Sequence, residues 1–110
     1  METYNLTTTV KGDTFNGVEF TFIKNEAAIN LTGATIKATF RAGSQTGKAS
    51  KVLTNTSGIT ITSAAEGKFK INPFIANMEA GIYYYDIELT IGTVVKTYVG
   101  GTFTITQDVT

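Results

Sequence analysis

The sequence contains no cysteine and no histidine, and its one proline is Pro73. Without cysteine there is no disulfide framework and no thiol metal site, so oxidative cross-linking does not stabilise the fold. Losing histidine as well removes the usual nucleophile–base pairs and nearly all transition-metal sites. An excess of one charge is also missing. Nine Lys and Arg residues balance nine Asp and Glu residues. They are scattered instead of forming runs, which leaves no electrostatic footprint for nucleic acid or an anionic membrane. A net charge near zero favours association over colloidal repulsion and suits a chain that works inside an assembly. No apolar run is long enough for a transmembrane helix. Met1-Glu2-Thr3-Tyr4-Asn5 lacks the basic and apolar regions of a secretory signal. The expectations are a chain without a leader, without a membrane or nucleic-acid partner, and without a cofactor or catalytic role.

What the sequence does contain is threonine and glycine, a strand-and-turn composition poor in helix formers. A length of 110 residues predicts one domain, 1–110, with a single core. The clearest strand runs through Gly81-Ile82-Tyr83-Tyr84-Tyr85-Asp86-Ile87-Glu88-Leu89. There Tyr83, Tyr85, Ile87, Leu89 and Ile91 alternate with Asp86, Glu88 and Thr90, the period of a half-buried strand. Glu79-x-Gly81-x-Tyr83-x-Tyr85 has the spacing of the turn into strand F of immunoglobulin-like sandwiches, with Tyr83 at the tyrosine corner.

Other strands are predicted at Asn5–Val10, with Leu6, Thr8 and Val10 on one face, and at Val18–Ile23, with Val18, Phe20 and Phe22 inward. Ile36, Ala38, Phe40 and Ala42 define a third. Ile59–Thr62 and Phe69–Ile71 pair as a hairpin, and Gly92-Thr93 turns into a last strand through Val95, Val99, Phe103 and Ile105. Gly100-Gly101 marks a bulge or a close backbone approach in that strand. Gly43–Lys51 reads as an exposed loop, and Ile75–Met78 as a single helical turn. The whole predicts an all-β, immunoglobulin-like antiparallel β-sandwich of about seven to nine short strands, with a small barrel as the alternative.

Few residues carry candidate chemistry. Asp86 and Glu88 share a strand face, yet no ligand-rich loop accompanies them, and a solvated sheet face explains them better than acid–base work or calcium. Dispersed Lys68, Lys70, Lys96 and Arg41 could line an anion groove, but strand lysines more often protect edges. Gly100-Gly101 is no phosphate loop, because it lies between strand segments. Tyrosines are the best binding candidates. Parity places Tyr83 and Tyr85 in the core and Tyr84 and Tyr98 on the opposite face. Tyr84, Tyr98, Lys68 and Lys96 are therefore the candidate interface residues.

One series of short motifs covers nearly the whole chain. It comprises Lys11-Gly12-Asp13-Thr14-Phe15 leading into Phe20-Thr21-Phe22, Asn30-Leu31-Thr32-Gly33-Ala34-Thr35-Ile36, Gly58-Ile59-Thr60-Ile61, and Gly67-Lys68-Phe69. Ala80-Gly81-Ile82-Tyr83-Tyr84-Tyr85-Asp86-Ile87 and Gly101 through Thr110 complete it. In this series the chain resembles the small immunoglobulin-like virion proteins of tailed bacteriophages, including the amino-terminal domain type of baseplate upper proteins. The resemblance implies a non-catalytic structural protein, made in the bacterial host cytoplasm and carried in the virion. It would dock onto other virion proteins in the tail or baseplate, or decorate the capsid, with homo-oligomers left open. Asn30 departs from the family's aspartate but can make similar hydrogen bonds. Longer relatives attach a receptor-binding or fibre segment after the position of Thr110, and the expectation from this departure is a freestanding structural subunit instead of a complete host-recognition protein. A carbohydrate- or cell-surface-binding module using Tyr84 and Tyr98 is the alternative, since sandwich folds host many functions.

Overall fold

The fold is built around one long hairpin, β12 (Gly81–Ile91) and β13 (Val94–Thr106). The computed structural model of the chain describes residues 2–44 and 47–107. Gln45 and Thr46 of the expected loop, and Asp108-Val109-Thr110 of the motif series, lie outside the described residues. β7 (Thr35–Ala42) pairs with the inner side of β12, and β8 (Ala49–Thr54) pairs with β7. On the far side of β13 lie two short parallel partners, β1 (Glu2–Thr3) and β2 (Thr9–Val10). The second sheet has the order β4 (Val18–Thr21), β10 (Lys68–Ile71), β9 (Ile59–Ser63). Two ribbons flank the sheets: β3 (Thr14–Phe15) with β11 (Phe74–Ile75), and β5 (Ile23–Lys24) with β6 (Ala27–Ala28).

Taken in chain order, β4, β7, β8, β9, β10, β12 and β13 occupy the positions of immunoglobulin strands B, C, C′, D, E, F and G. One sheet is then B-E-D and the other G-F-C-C′, an immunoglobulin-like β-sandwich. These seven are the strands of four residues or more among the described residues. They agree with the expected number, although β12 and β13 are not short.

The alternation read in the sequence decides which side chains meet between the sheets. Tyr83, Tyr85, Ile87 and Leu89 of β12 are buried, as are Ile36, Ala38 and Phe40 of β7 and Val99, Phe103 and Ile105 of β13. Phe69 and Ile71 face them from β10 and Ile59 from β9. At one end of the core Phe15, Phe40, Phe74 and Phe103 form a ring cluster with centroids 5.1 to 6.2 Å apart. At the other, Tyr4, Phe20, Phe22, Phe69 and Tyr98 form a second, with spacings of 4.6 to 5.6 Å. Each phenylalanine fully removed from water contributes on the order of 1.5–3 kcal/mol, so these two clusters are a principal source of stability.

Tyr83 makes the expected corner: its hydroxyl donates to the Glu79 carbonyl, four residues upstream, at 2.6 Å. Asn30 Oδ1 accepts from the Thr32 N–H at 2.9 Å, so asparagine closes the turn that spans Leu31.

Three expectations are corrected, and a fourth is resolved to one of its two alternatives. Asn5–Val10 is not one strand. Leu6 and Thr9 are buried while Thr8 and Val10 are exposed, because only Thr9–Val10 pairs with β13 and the preceding segment is held by single hydrogen bonds. The Gly43–Lys51 loop ends earlier, since Ala49, Ser50 and Lys51 already belong to β8. Ile75–Met78 is not a helical turn. Phe74 and Ile75 pair with Phe15 and Thr14, and Ala76 exchanges backbone bonds with Asp13 and Gly12. Finally, Gly100 and Gly101 stay in register with Asp86 and Tyr85, and the bulge falls at Tyr98. The glycine pair marks a close approach instead: a methyl group on Gly101 would overlap the Tyr4 carbonyl oxygen.

Candidate interaction site

The hairpin turn sets the pattern of the open edge. Gly92 has φ +59°, and no positive φ follows at Thr93, the requirement of a type II′ turn with glycine first. Two-residue turns are closed by a hydrogen-bonded pair, here Ile91 and Val94. Strict antiparallel alternation then makes Thr90↔Val95 a non-hydrogen-bonded pair, so the Val95 N–H and C=O point away from β12. Thr97, opposite Glu88, has the same orientation.

Immediately afterwards Ile87 opposes Val99 while Glu88 opposes Thr97, leaving Tyr98 as the extra residue of a bulge. From Val99 onward the outer edge of β13 is covered by the N-terminal segment. Tyr4 N–H donates to Gly100 O at 2.9 Å, Leu6 N–H to Thr102 O at 2.8 Å, and Lys11 N–H to Thr106 O at 2.8 Å. Asn5 Oδ1 accepts from Thr102 N–H at 3.1 Å. Tyr85 fastens this segment from below, its hydroxyl donating to the Tyr4 carbonyl. Among the described residues, Val94–Thr97 is therefore an unpaired edge that begins where β1 stops.

Beside this edge a cleft of about 440 Å³ opens between the N-terminal segment and the flank of the second sheet. Tyr4, Phe20, Phe22, Ile23 and Tyr98 supply its apolar surface, and Glu19, Thr3 and Thr21 its polar rim. Tyr4 stands edge-on to Phe20, and Tyr98 leans on Phe22. Of the cleft residues Ile23 is 59% exposed and Tyr4 48%, and on the open edge Val94 is 58% and Val95 54% exposed. A smaller and more polar hollow of about 240 Å³ lies between Thr7 and Gly17.

Of the four residues expected to form an interface, the structure brings two together. Tyr98 does not lie on the outer face as parity implied. The bulge turns its ring inward to wall the cleft, half-buried against the core. Lys96 is exposed on the open edge two residues away. Tyr84 does face outward, flanked by Arg41 and Thr102 in register. Lys68 is paired with Thr21 of the cleft rim, but its ammonium reaches Glu66 Oε2 at 4.0 Å. Asp86 and Glu88 share the outer face with Tyr84. Among the described residues, no three His, Cys, Asp or Glu side chains converge on a metal-sized site.

The phenols below this region act as fixed donors. Burial, and then the Glu79 carboxylate, raise the Tyr83 hydroxyl above its ordinary pKa; burial, and then Tyr4, raise that of Tyr85 further. The arrangement as a whole offers aromatic contact and backbone hydrogen bonding. The sequence reading missed Tyr4, Ile23, Val94 and Val95. Two signals were present: Ile23 on the polar parity of its strand, and the adjacent pair Val94-Val95, one of which must face water. The class defined by fold and surface is an immunoglobulin-like sandwich with an open G-strand edge. No protein-family model and no curated protein sequence matches the chain.

Proposed function

We propose that this chain is a non-catalytic structural protein of a bacteriophage virion, docking onto other virion proteins in the tail or baseplate or decorating the capsid. The observation that carries the reading is the unpaired outer edge of Val94–Thr97, on which Val94 and Val95 are exposed, since open strand edges of this kind serve association. Balanced charge and the motif series of the tailed-phage immunoglobulin-like proteins support it. Quantitative mass spectrometry of purified particles separated into heads and tails tests it. Abundance with heads near that of the capsid protein identifies a decoration subunit, and low copy with tails identifies a tail or baseplate component. Absence from both fractions refutes the virion role.

A second reading, a carbohydrate- or cell-surface-binding module, is supported by the cleft, where Tyr4 and Tyr98 supply aromatic faces and Glu19, Thr3 and Thr21 supply hydrogen-bonding groups. Measurable binding of host polysaccharide by the isolated chain favours it, and no binding at high protein concentration removes it.

A further inference from the structure

The geometry points to one occupant for the Val94–Thr97 edge: an extended segment of another protein that adds a strand to the sheet in line with β1. The inference rests on the virion reading only in making that protein a virion component. Three observations converge. The edge presents outward N–H and C=O groups at Val95 and Thr97, and β1 takes up pairing at Val99. An incoming strand would thus extend an existing row of partners along β13. In register Lys96 opposes Leu89 while Val95 and Thr97 oppose Thr90 and Glu88, so the side chains flanking the residue opposite Lys96 lie over the exposed Val95 and over Thr97. Lys96 selects against a second copy of this chain, because antiparallel self-pairing over so short an edge brings the two Lys96 ammonium groups together. The same charge selects an incoming strand with a carboxylate opposite it. The partner segment is therefore apolar at alternate positions, with an acidic residue beside Lys96.

Titration of the ¹⁵N-labelled full chain with two synthetic peptides tests this: acetyl-Thr-Val-Glu-Val-Thr-Val-amide, and its counterpart with Lys in place of Glu. The expected result is amide shifts confined to Val94–Tyr98, with the Lys peptide binding about two- to fivefold more weakly. Lys96→Glu should reverse that preference. Val95→Pro should abolish binding with the remaining spectrum unchanged, since the lost N–H serves no ladder bond. Shifts absent up to the peptide's solubility limit, shifts centred elsewhere, or a preference unaffected by Lys96→Glu would overturn the inference. So would host polysaccharide that perturbs Tyr4 and Tyr98 while neither peptide perturbs Val95 or Thr97. Failure here with the chain present in particles removes this edge and leaves the virion role. Peptide binding with the chain absent from particles does the reverse.

Discussion

Tyr85 shows how one side chain joins remote parts of the chain. Its ring stacks on Phe40 within the core, and its hydroxyl reaches the carbonyl of Tyr4, 81 residues away in sequence. Replacing Tyr85 by phenylalanine keeps the ring and removes the bond, leaving the Tyr4 carbonyl without this donor; the expected cost is about 1–3 kcal/mol in urea unfolding. Burial also gives the residue a pH signature. Its folded pKa is raised above the ordinary value of 10.0, so the native state holds a proton that the unfolded chain releases. The contribution is fully present below pH 10 and is lost as pH rises above it, at up to about 1.4 kcal/mol per pH unit for one proton. Stability should fall between pH 10 and 11, and more shallowly in Tyr85→Phe. An equal slope in both proteins would mean that Tyr85 keeps its proton no better in the folded chain.

Gly101 serves the same junction from the opposite side. Its backbone is not in the left-handed region, and what requires glycine is space: an added methyl group would overlap the Tyr4 carbonyl oxygen and lie 2.9 Å from Asn5 Oδ1. Gly101→Ala should push the N-terminal segment off β13, costing about 1–3 kcal/mol. Hydrogen exchange localises the effect: the amides of Tyr4 and Leu6 should lose protection well before those of Ile87 and Phe103.

At the scale of elements, the strands legible in the sequence are those whose alternation is long enough to identify a buried face. β12, β7 and the β9–β10 hairpin are of this kind, and so is the corner at Tyr83. Of the two-residue strands, Glu2–Thr3 was not legible and Thr9–Val10 was legible only as part of a longer strand with the wrong face inward, because nothing in either specifies pairing; the open edge of β13 does. The false helical turn at Ile75–Met78 has the same origin, since Phe15 supplies the partner that makes Phe74 a strand residue. The candidate site was half legible. Tyr98 and Lys96 were identified as residues, but the bulge that turns Tyr98 inward is a property of the β12–β13 pairing and has no local signature. Deleting Tyr98 should leave Ile87 opposite Val99 and Glu88 opposite Thr97, now in an unbroken ladder. The expected cost, on the order of 0.5–1.5 kcal/mol, is loss of the ring contact with Phe22. Cross-strand nuclear Overhauser effects check the register, and urea unfolding checks the cost.

For the molecule as a whole, the long hairpin sets the dimensions and the order of assembly. Thirteen residues of β13, at about 3.4 Å each, span about 44 Å, close to the 45 Å long axis of the protein. β12 and β13 are joined by a two-residue turn, so their pairing requires little loop closure. β1 and β2 must instead find β13 across nearly the full chain. Loop-closure entropy opposes contacts of such sequence separation until the rest of the frame exists. The N-terminal segment should therefore dock after the folding transition state, and the F–G hairpin with β7 should form within it. Leu6→Ala, at a buried position of that segment, should accelerate unfolding while leaving the folding rate within about twofold. Ile87→Val, at the centre of the hairpin, should mainly slow folding, with an equilibrium cost of about 0.5–1.5 kcal/mol. Stopped-flow folding and unfolding in urea separates the two effects. A folding rate depressed by Leu6→Ala in proportion to its loss of stability would place the N-terminal segment in the nucleus and reverse that order of assembly.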